Sequence, residues 1–337
     1  MPTSNFTDFL ANISLVWIVG VITIATVLRV ALVRLPSPGA RSTAEFLESG
    51  IIAIGLVFLL IRPFLIQAFF IPSASMEPTL LGQQGAGDHI LVNKLGNRLH
   101  KPQREDITVF IAPPAAVEGT SEASSGMPVD YVKRLIGAPG DRIEAHEGRV
   151  YINGTAFSHS DLRRKFLEAG LFGQEAQQET ANEPGYDLQA NYHLRFTDKG
   201  VTVNGTLIPD SKVAEVMTSQ PSYPVKIVPG FTMRNGVKID EPFTAEDPDY
   251  NLKLYNGQSL KEDNNHFRLN GVAITPEDYA TYNSNPPGTV PPHMYYMMGD
   301  NRNDSKDSTE WGPLDENRIV GKAQWIFWPL NRIRALH

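Results

Sequence analysis

Cysteine is missing from this chain of 337 residues. Its absence excludes disulfide bonds, zinc sites built on thiolates, and a cysteine nucleophile. An excess of basic residues is missing as well, because 30 Lys and Arg residues stand against 37 Asp and Glu residues, for a formal net charge of −7. This balance argues against a nucleic-acid binder that works by neutralising phosphates.

Metal-ligand spacing is also absent from the eight histidines, so the sequence predicts no metal centre and no cofactor. The alternate aspartates Asp300 and Asp304, followed by Asp307, suggest a calcium loop. That loop would need Gly at its sixth position, and it carries Arg302 at its third and Trp311 at its twelfth. The aspartates are therefore interpreted as structural.

Long apolar runs occur only before residue 72. The first covers 13–33 and is interrupted only by Arg29, and the second is predicted to span a bilayer over 47–66. Arg62 would be costly at the bilayer centre, so we expect it to reach the far interface, with Pro63 ending or kinking the helix. Residues 1–71 are thus a membrane anchor.

Charge orients this predicted anchor. The short connector carries Arg29, Arg34 and Arg41, whereas the segment before the first run carries only Asp8. By the positive-inside bias, the connector is cytoplasmic and everything after residue 71 faces outward. The alternatives are a cleaved secretory signal, which would need a basic N-terminal region, and a helical hairpin buried in a soluble protein.

After residue 80, short alternating runs broken by Gly, Pro and Asn-Gly predict a mainly β fold with antiparallel sheets. The best strand candidates are 89–93, 107–110, 131–136 and 149–152. Hairpin turns are predicted at Asn153-Gly154, Asn204-Gly205 and Asn270-Gly271. A helix is predicted within 160–183. We expect a catalytic β domain of residues 72–154 and 291–337, with an inserted subdomain of residues 155–290.

The string Ser73-Ala74-Ser75-Met76, followed by Pro78, predicts serines on an extended loop. Taken alone, this string is equally typical of a turn made of small residues. A nucleophilic serine needs a base, and no Ser/His/Asp spacing surrounds it, whereas a Ser-Lys pair is a known alternative. Lys133 lies in a predicted strand that places Tyr131 on the same face, where the ring would shield the amine from water and lower its pKa.

At this point the chain resembles the type I signal (leader) peptidases, the membrane-bound Ser/Lys proteases of bacteria. Four ordered motifs and the two apolar runs carry the resemblance, although the motifs cover less than half of the chain. The motifs lie at 71–80, 87–92, 133–141 and 299–308.

The resemblance implies a role for each site residue. Ser75 would be the nucleophile and Lys133 the general base, and Ser73 would donate to the oxyanion beside the backbone N–H of Ser75. Ser305 would hydrogen-bond the Lys133 amine and orient it. Supporting roles would fall to Asp300 and Arg134, as an ion pair, and to Asp307.

Two positions depart from the family pattern. The family continues Asp-Ser-Arg where this chain has Asp307-Ser308-Thr309, so Asp307 would need Arg302 or Lys306 as its partner, or the loop would lose rigidity. Glu105-Asp106 stands where Gly-Asp is usual, a change we expect to be minor.

The implied function is an endopeptidase that removes N-terminal signal peptides from exported preproteins with A-x-A cleavage sites, through an acyl-enzyme. It would be a multi-pass protein of the bacterial inner membrane, in contact with lipid, with its catalytic domain outside. The alternatives are a Ser/Lys protease with one dedicated substrate, a self-cleaving relative, and a catalytically silent scaffold. We expect Trp311, Trp325, Phe327 and Trp328 in the sheet core, with docking against lipid as the alternative for some of them.

Overall fold

Two apolar helices open the part of the chain that the structure, a computed structural model, describes: residues 15–61, 65–83, 87–118, 128–174, 176 and 192–336. The chain's helices, numbered in order, are α1 Leu15–Val33, α2 Pro38–Gly55, α3 Lys94–Leu99, α4 Pro114–Val117, α5 His159–Glu168, α6 Asp210–Thr218, α7 Pro276–Asn283 and α8 Ser308–Trp311. A π-helical stretch, Leu56–Ile61, continues α2.

Antiparallel strands make up most of the remainder. They are β1 Ile66–Phe70, β2 His89–Asn93, β3 Ile107–Ile111, β4 Asp130–Gly137, β5 Ile143–His146, β6 Arg149–Ile152, β7 Thr155–Phe157, β8 Leu194–Thr197, β9 Gly200–Val203, β10 Thr206–Ile208, β11 Val225–Val228, β12 Phe231–Arg234, β13 Val237–Lys238, β14 Asn251–Tyr255, β15 Gln258–Asp263, β16 His266–Leu269, β17 Val272–Ala273, β18 Met294–Met298, β19 Leu314–Asp315, β20 Ile319–Trp328 and β21 Arg334–Ala335. The predicted mainly β fold is confirmed.

The chain divides into two compact units. The first contains the N-terminal helices, strands β1 and β2, and the C-terminal strands β20 and β21. Two windows are apolar enough to cross a membrane: Val16–Val33 in α1, and Pro38–Leu59, which covers α2 and part of the π-helical stretch that continues it. An ion pair of 2.6 Å from Arg29 to Glu48 joins the two helices. The second helix begins well before the predicted start of its span at residue 47, and residues 13, 14, Arg62 and Pro63 lie outside the described residues.

The β part of the first unit is an antiparallel ladder in which β2 pairs with β1 and β20, and β20 pairs with β21. Arg332 donates two hydrogen bonds of 2.8 and 2.9 Å to the buried carboxylate of Asp88. The expectation that all the C-terminal aromatics form sheet core is wrong, because Trp325 and Trp328 are 49% and 50% exposed. They lie on β20 and face away from its buried residues, such as Ile326.

The second unit contains the remaining strands. A ladder of β3, β4, β18 and β19 places the Lys133 strand in its middle. A seven-stranded sheet has the order β13-β12-β5-β14-β15-β16-β17. The apolar faces of β4, β5, β14 and β18 form one core, which includes Ile136, Tyr250 and Tyr296. Trp311 belongs to a neighbouring core, as expected.

Residues 149–228 build a further set of elements with a hydrophobic core of their own, around Leu162, Phe166 and Phe196. Strands β6, β7 and β11 form one small sheet and β8, β9 and β10 another. The predicted helix is α5, which Ser158 caps in a capping box with Asp161. The later part of the predicted helical stretch, from residue 177, lies outside the described residues. The predicted boundaries of the inserted subdomain, 155–290, stay a prediction.

The predicted Asn-Gly turns are confirmed. Each connects a hairpin, β6–β7, β9–β10 or β16–β17, and each Asn has a positive φ of 47–48°. Asn and Gly tolerate this left-handed conformation, which a two-residue hairpin turn of this type requires at both central positions. All four predicted strands, 89–93, 107–110, 131–136 and 149–152, match β2, β3, β4 and β6, which places Lys133 in a strand as expected.

Candidate active site

Ser75 lies in a short 3₁₀ turn, Ala74–Met76, in the second unit. The predicted extended loop is wrong at this point, because Ser73 is extended but the next three residues turn. The N–H of Glu77 donates to the carbonyl of Ala74 at 2.9 Å and closes the turn. The side chain of Met76 is 1% exposed, so its burial fixes the turn against the domain and leaves the neighbouring serine hydroxyl in a defined place.

Lys133 meets this hydroxyl from strand β4. Its Nζ donates a hydrogen bond of 2.7 Å to Ser75 Oγ and another of 3.1 Å to the carbonyl of Val132. The amine lies 5.5 Å from the centre of the Tyr131 ring, which confirms the predicted neighbour on that face of the strand. The residue is 4% exposed. The structure therefore brings together the two residues that the sequence places 58 positions apart.

Burial lowers the pKa of Lys133 from 10.5 to about 8, although the carboxylates of Asp307, Asp300 and Asp304 act in the opposite direction. Desolvation disfavours the charged ammonium, and within the described residues no carboxylate lies close enough to Lys133 for an ion pair to offset it. A substantial fraction of the amine is thus neutral near pH 8 and able to accept a proton from the hydroxyl that it contacts.

Ser73 supplies a second hydroxyl to the same place. Its Oγ lies 3.3 Å from Ser75 Oγ. A hydroxyl this close to a nucleophilic oxygen can donate to an oxyanion that forms beside it. The arrangement places two serine hydroxyls and a buried lysine amine next to one another.

Arg134, the next residue of β4, points to the opposite face and meets Asp300. Two hydrogen bonds, from Nε at 2.8 Å and from Nη2 at 2.6 Å, join the guanidinium to the carboxylate. Both side chains are nearly inaccessible, at 3% and 0% exposed. The ring of Phe243 covers the guanidinium at 3.9 Å from its central carbon. The expected pair is present and ties β4 to the loop that follows β18.

The carboxylate of Asp307 accepts hydrogen bonds from two backbone N–H groups. One oxygen accepts from Gly299 N at 2.8 Å and the other from Thr309 N at 2.9 Å, where it caps helix α8. The expected substitutes for a missing arginine are therefore wrong. Arg302 pairs with Glu241, and Lys306 is exposed. A carboxylate that accepts from backbone donors needs no cation to be satisfied.

Comparisons with known proteins identify the family of this chain. The model of the family described as signal peptidase, peptidase S26, matches residues 43–203 and 192–328. The chain belongs to this family. It is 36% identical over 286 residues to a probable signal peptidase I-2 of Synechocystis, a match that covers 85% of this chain and 72% of the relative.

Two further signal peptidases I span nearly the same share of the chain. The enzyme of Buchnera aphidicola is 28% identical over 332 residues, with 88% of this chain and 84% of the relative covered. That of Aquifex aeolicus is 29% identical over 273 residues, with 81% and 80% covered. Membership of this family of serine endopeptidases, together with two apolar helices, indicates an enzyme anchored in a membrane.

Ser305 departs from what the family resemblance implies. Its Oγ is buried and makes no hydrogen bond to any described residue, so the expected bond to the Lys133 amine is not formed. The hydroxyl instead lies against Gly299, whose ideal Cβ position it would contact closely. The orientation of the amine in this structure comes from Ser75 Oγ and the Val132 carbonyl.

Two residues of the site were missed by sequence reasoning. The backbone N–H of Asn301 donates to the carbonyl of Ser75 at 3.2 Å, and its side-chain amide lies 3.4 Å from the carbonyl of Ala74. A Cβ on Gly299 would collide with the Ser75 carbonyl as well as with Ser305 Oγ. Both residues belong to the fourth motif, but only the folded chain shows that they pack against the turn that carries Ser75.

Proposed function

We propose that this protein removes signal peptides from exported preproteins by a Ser75-Lys133 dyad. The observation that carries the proposal is the hydrogen bond of 2.7 Å from a buried, depressed-pKa lysine to a serine hydroxyl. Neutral Lys133 takes the proton of Ser75 Oγ while that oxygen forms a bond to the scissile carbonyl carbon. The carbonyl oxygen then carries the negative charge of a tetrahedral intermediate.

Ser73 Oγ and the backbone N–H of Ser75 would donate to this oxyanion. Collapse of the intermediate breaks the C–N bond, and the ammonium of Lys133 returns its proton to the leaving amine, which becomes the N-terminus of the mature protein. The signal peptide stays as an ester on Ser75. Lys133, neutral again, deprotonates the water that hydrolyses the ester, and the proton then returns to Ser75 Oγ.

The proposal includes the cleavage site and the side of the membrane. Small residues at the first and third positions before the cut, the A-x-A pattern, are the expected recognition sequence. The arginines of the connector, Arg34 and Arg41, favour a cytoplasmic connector, so both helices would span the inner membrane and the catalytic residues would lie outside. Contact with lipid is supported by the exposed Trp325, Trp328 and Leu330 of the first unit.

The test is a cleavage reaction. Detergent-solubilised protein is incubated with a preprotein that carries an A-x-A site, and the N-terminus of the product is sequenced. We expect a cut directly after the second alanine, and none with Ser75→Ala. A preprotein with Lys at both alanine positions is the matched control. Cleavage by the Ser75→Ala variant, or failure of the wild-type protein on several such preproteins, would refute the proposal.

A further inference from the structure

The segment Glu241–Asp247 lies behind the catalytic loop, which we define as Gly299–Ser305. Glu241 accepts hydrogen bonds from both terminal nitrogens of Arg302. The N–H of Ala245 donates to the carbonyl of Asp300 at 3.1 Å. These contacts hold the loop at Asp300 and Arg302.

Glu246 makes the next contact with the loop. Its Oε2 accepts from the amide of Asn303 at 2.7 Å, and the same amide donates to the carbonyl of Asp247 at 3.1 Å. The oxygen of the Asn303 side chain accepts from the N–H of Asp249 at 3.1 Å. The hydrogen bonds of this side chain are thus directed at residues 246–249 rather than at the loop that carries it.

The same segment holds residues 149–228 on its other side. Oε1 of Glu246 accepts from Arg163 of α5 at 2.6 Å and from the N–H of Leu194 in β8. Asp247 accepts from His159 of α5 at 2.9 Å and from the N–H of Phe196 at 2.8 Å. One carboxylate, that of Glu246, therefore bonds both to the 149–228 elements and to the catalytic loop.

Burial makes this connection stiff. Glu246 is 0% exposed, and each of its oxygens faces donors on a different element. Loss of one partner of this buried carboxylate would leave a polar atom with neither water nor protein to bond, which is costly. Asn303 is two residues from Ser305 and three from Asp300, the carboxylate that holds Arg134.

We propose that Glu246 is a positioning residue for the active site: through Asn303 it fixes the catalytic loop, and it couples that loop to the packing of the 149–228 elements. The proposal rests on the proposed proteolytic function. Displacement of the loop would admit water beside Lys133, whose low pKa comes from burial. The pKa of Lys133 would then rise, and less of the amine would be neutral near pH 8.

The test exchanges the two partners. Asn303→Asp places a second carboxylate against Glu246, and Glu246→Gln removes the acceptor charge that Asn303 uses. In the double variant, the new amide at position 246 keeps its oxygen for Arg163 and Leu194, while its nitrogen donates to the new carboxylate at position 303. That carboxylate can still accept from the N–H of Asp249, whereas the Asp247 carbonyl loses its donor in the single and the double variant alike. The matched control is Asn264→Asp, whose exposed amide bonds to Ser160 Oγ.

We expect Asn303→Asp to lower kcat for preprotein cleavage by at least about 10-fold with little change in KM, and to move the acid limb of the pH profile to higher pH. The double variant should recover to within about 3-fold of wild type, and its pH midpoint should return. Asn264→Asp should match the wild type. Two results would overturn the proposal. One is a double variant in which the losses of the single variants add. The other is an Asn303→Asp variant that only yields less folded enzyme, with the midpoint of its pH profile unchanged.

A readout without substrate separates this proposal from the proposed function. The lysine side chains are labelled with ¹³C at Cε, and the pKa of Lys133 is measured by NMR titration, with Lys133→Met to assign the signal. If the wild type cleaves no preprotein but Asn303→Asp still raises the pKa of Lys133 and the swap restores it, the proteolytic function fails and the positioning role stands. An unchanged pKa in an active enzyme contradicts the positioning role alone.

Discussion

Lys133 Nζ lies 2.7 Å from Ser75 Oγ in a site where the lysine is 4% exposed. Burial of the charged amine costs free energy, and this cost lowers the pKa of Lys133 from 10.5 to about 8. The unfolded chain therefore binds more protons than the folded chain between these two pH values, and the fold gains stability as pH rises through that window. Below about pH 8 the whole penalty remains, on the order of 3 kcal/mol.

Replacement of Lys133, the proposed base, should accordingly stabilise the protein while it abolishes cleavage. We expect Lys133→Met to raise the free energy of unfolding at pH 7 by about 1–3 kcal/mol, because it fills the same space without a buried amine. Thermal melts in detergent measure the change. Lys212→Met, at a half-exposed lysine that pairs with Glu215, is the control and should move stability little. A destabilised Lys133→Met variant would show that the buried amine does not lower the free energy of unfolding.

Gly299 gives a prediction about the nucleophile. A methyl group there would collide with the Ser75 carbonyl and with Ser305 Oγ, and the Ser75 carbonyl belongs to the 3₁₀ turn. Gly299→Ala should therefore lower kcat by about 10²-fold or more through a displaced nucleophile. Gly288→Ala is the control, because its new methyl would meet its nearest neighbour at an ordinary 3.4 Å. Full activity of Gly299→Ala would mean that the Ser75 turn tolerates displacement.

Substitutions at Thr309 test which groups hydrogen-bond the carboxylate of Asp307. The residue is 2% exposed, and its N–H already donates to Asp307, so an arginine there has neither space nor an unsatisfied acceptor. We expect Thr309→Arg to lower the free energy of unfolding by at least about 2 kcal/mol. Thr309→Ser, which keeps the backbone contact, should cost less. A stabilised arginine variant would show that Asp307 lacks a partner, contrary to its two backbone hydrogen bonds.

Glu105 stands where the family has glycine, and its φ of 73° explains that preference. A side chain other than Asn or Asp in this left-handed conformation costs about 1 kcal/mol. Glu105→Gly should therefore raise stability by up to about 1 kcal/mol, since its ion pair with Arg234 is long, at 3.7 Å, and half-exposed. Glu118→Gly is the comparison, because Glu118 has a negative φ of −56°. Equal losses in both variants would contradict strain at residue 105.

The sequence predicted the parts of the site that depend on local pattern. Alternation along 131–136 placed Lys133 on one face with Tyr131, and the family motifs brought Ser75 to it. It did not predict contacts that depend on how distant segments meet. Asp307 looked unpaired because its partners are backbone N–H groups, which nearly every residue has and no motif displays. Ser305 was expected on the amine, but its hydroxyl faces Gly299.

The sequence also failed to predict where the second membrane helix begins and which residues hold the catalytic loop. Hydropathy predicted two spans but not where the second helix begins, because helix α2 starts at Pro38, a favoured first helical position, whereas Arg41, Glu45 and Glu48 make the first part of the helix more polar than the rest. Glu246 carried no signal at all in the sequence. Its importance comes from three elements, α5, β8 and the catalytic loop, that meet at one buried carboxylate.

The pH dependence of cleavage tests the dyad most directly. With Lys133 as the base, kcat/KM for a preprotein should rise about 10-fold per pH unit on the acid side and level off near the pKa of Lys133, about 8. The measurement is made with wild-type enzyme from about pH 5 to about pH 10, with substrate stability checked at each pH. A flat profile across that range, or a midpoint near about 6 that is typical of histidine, would contradict lysine as the base.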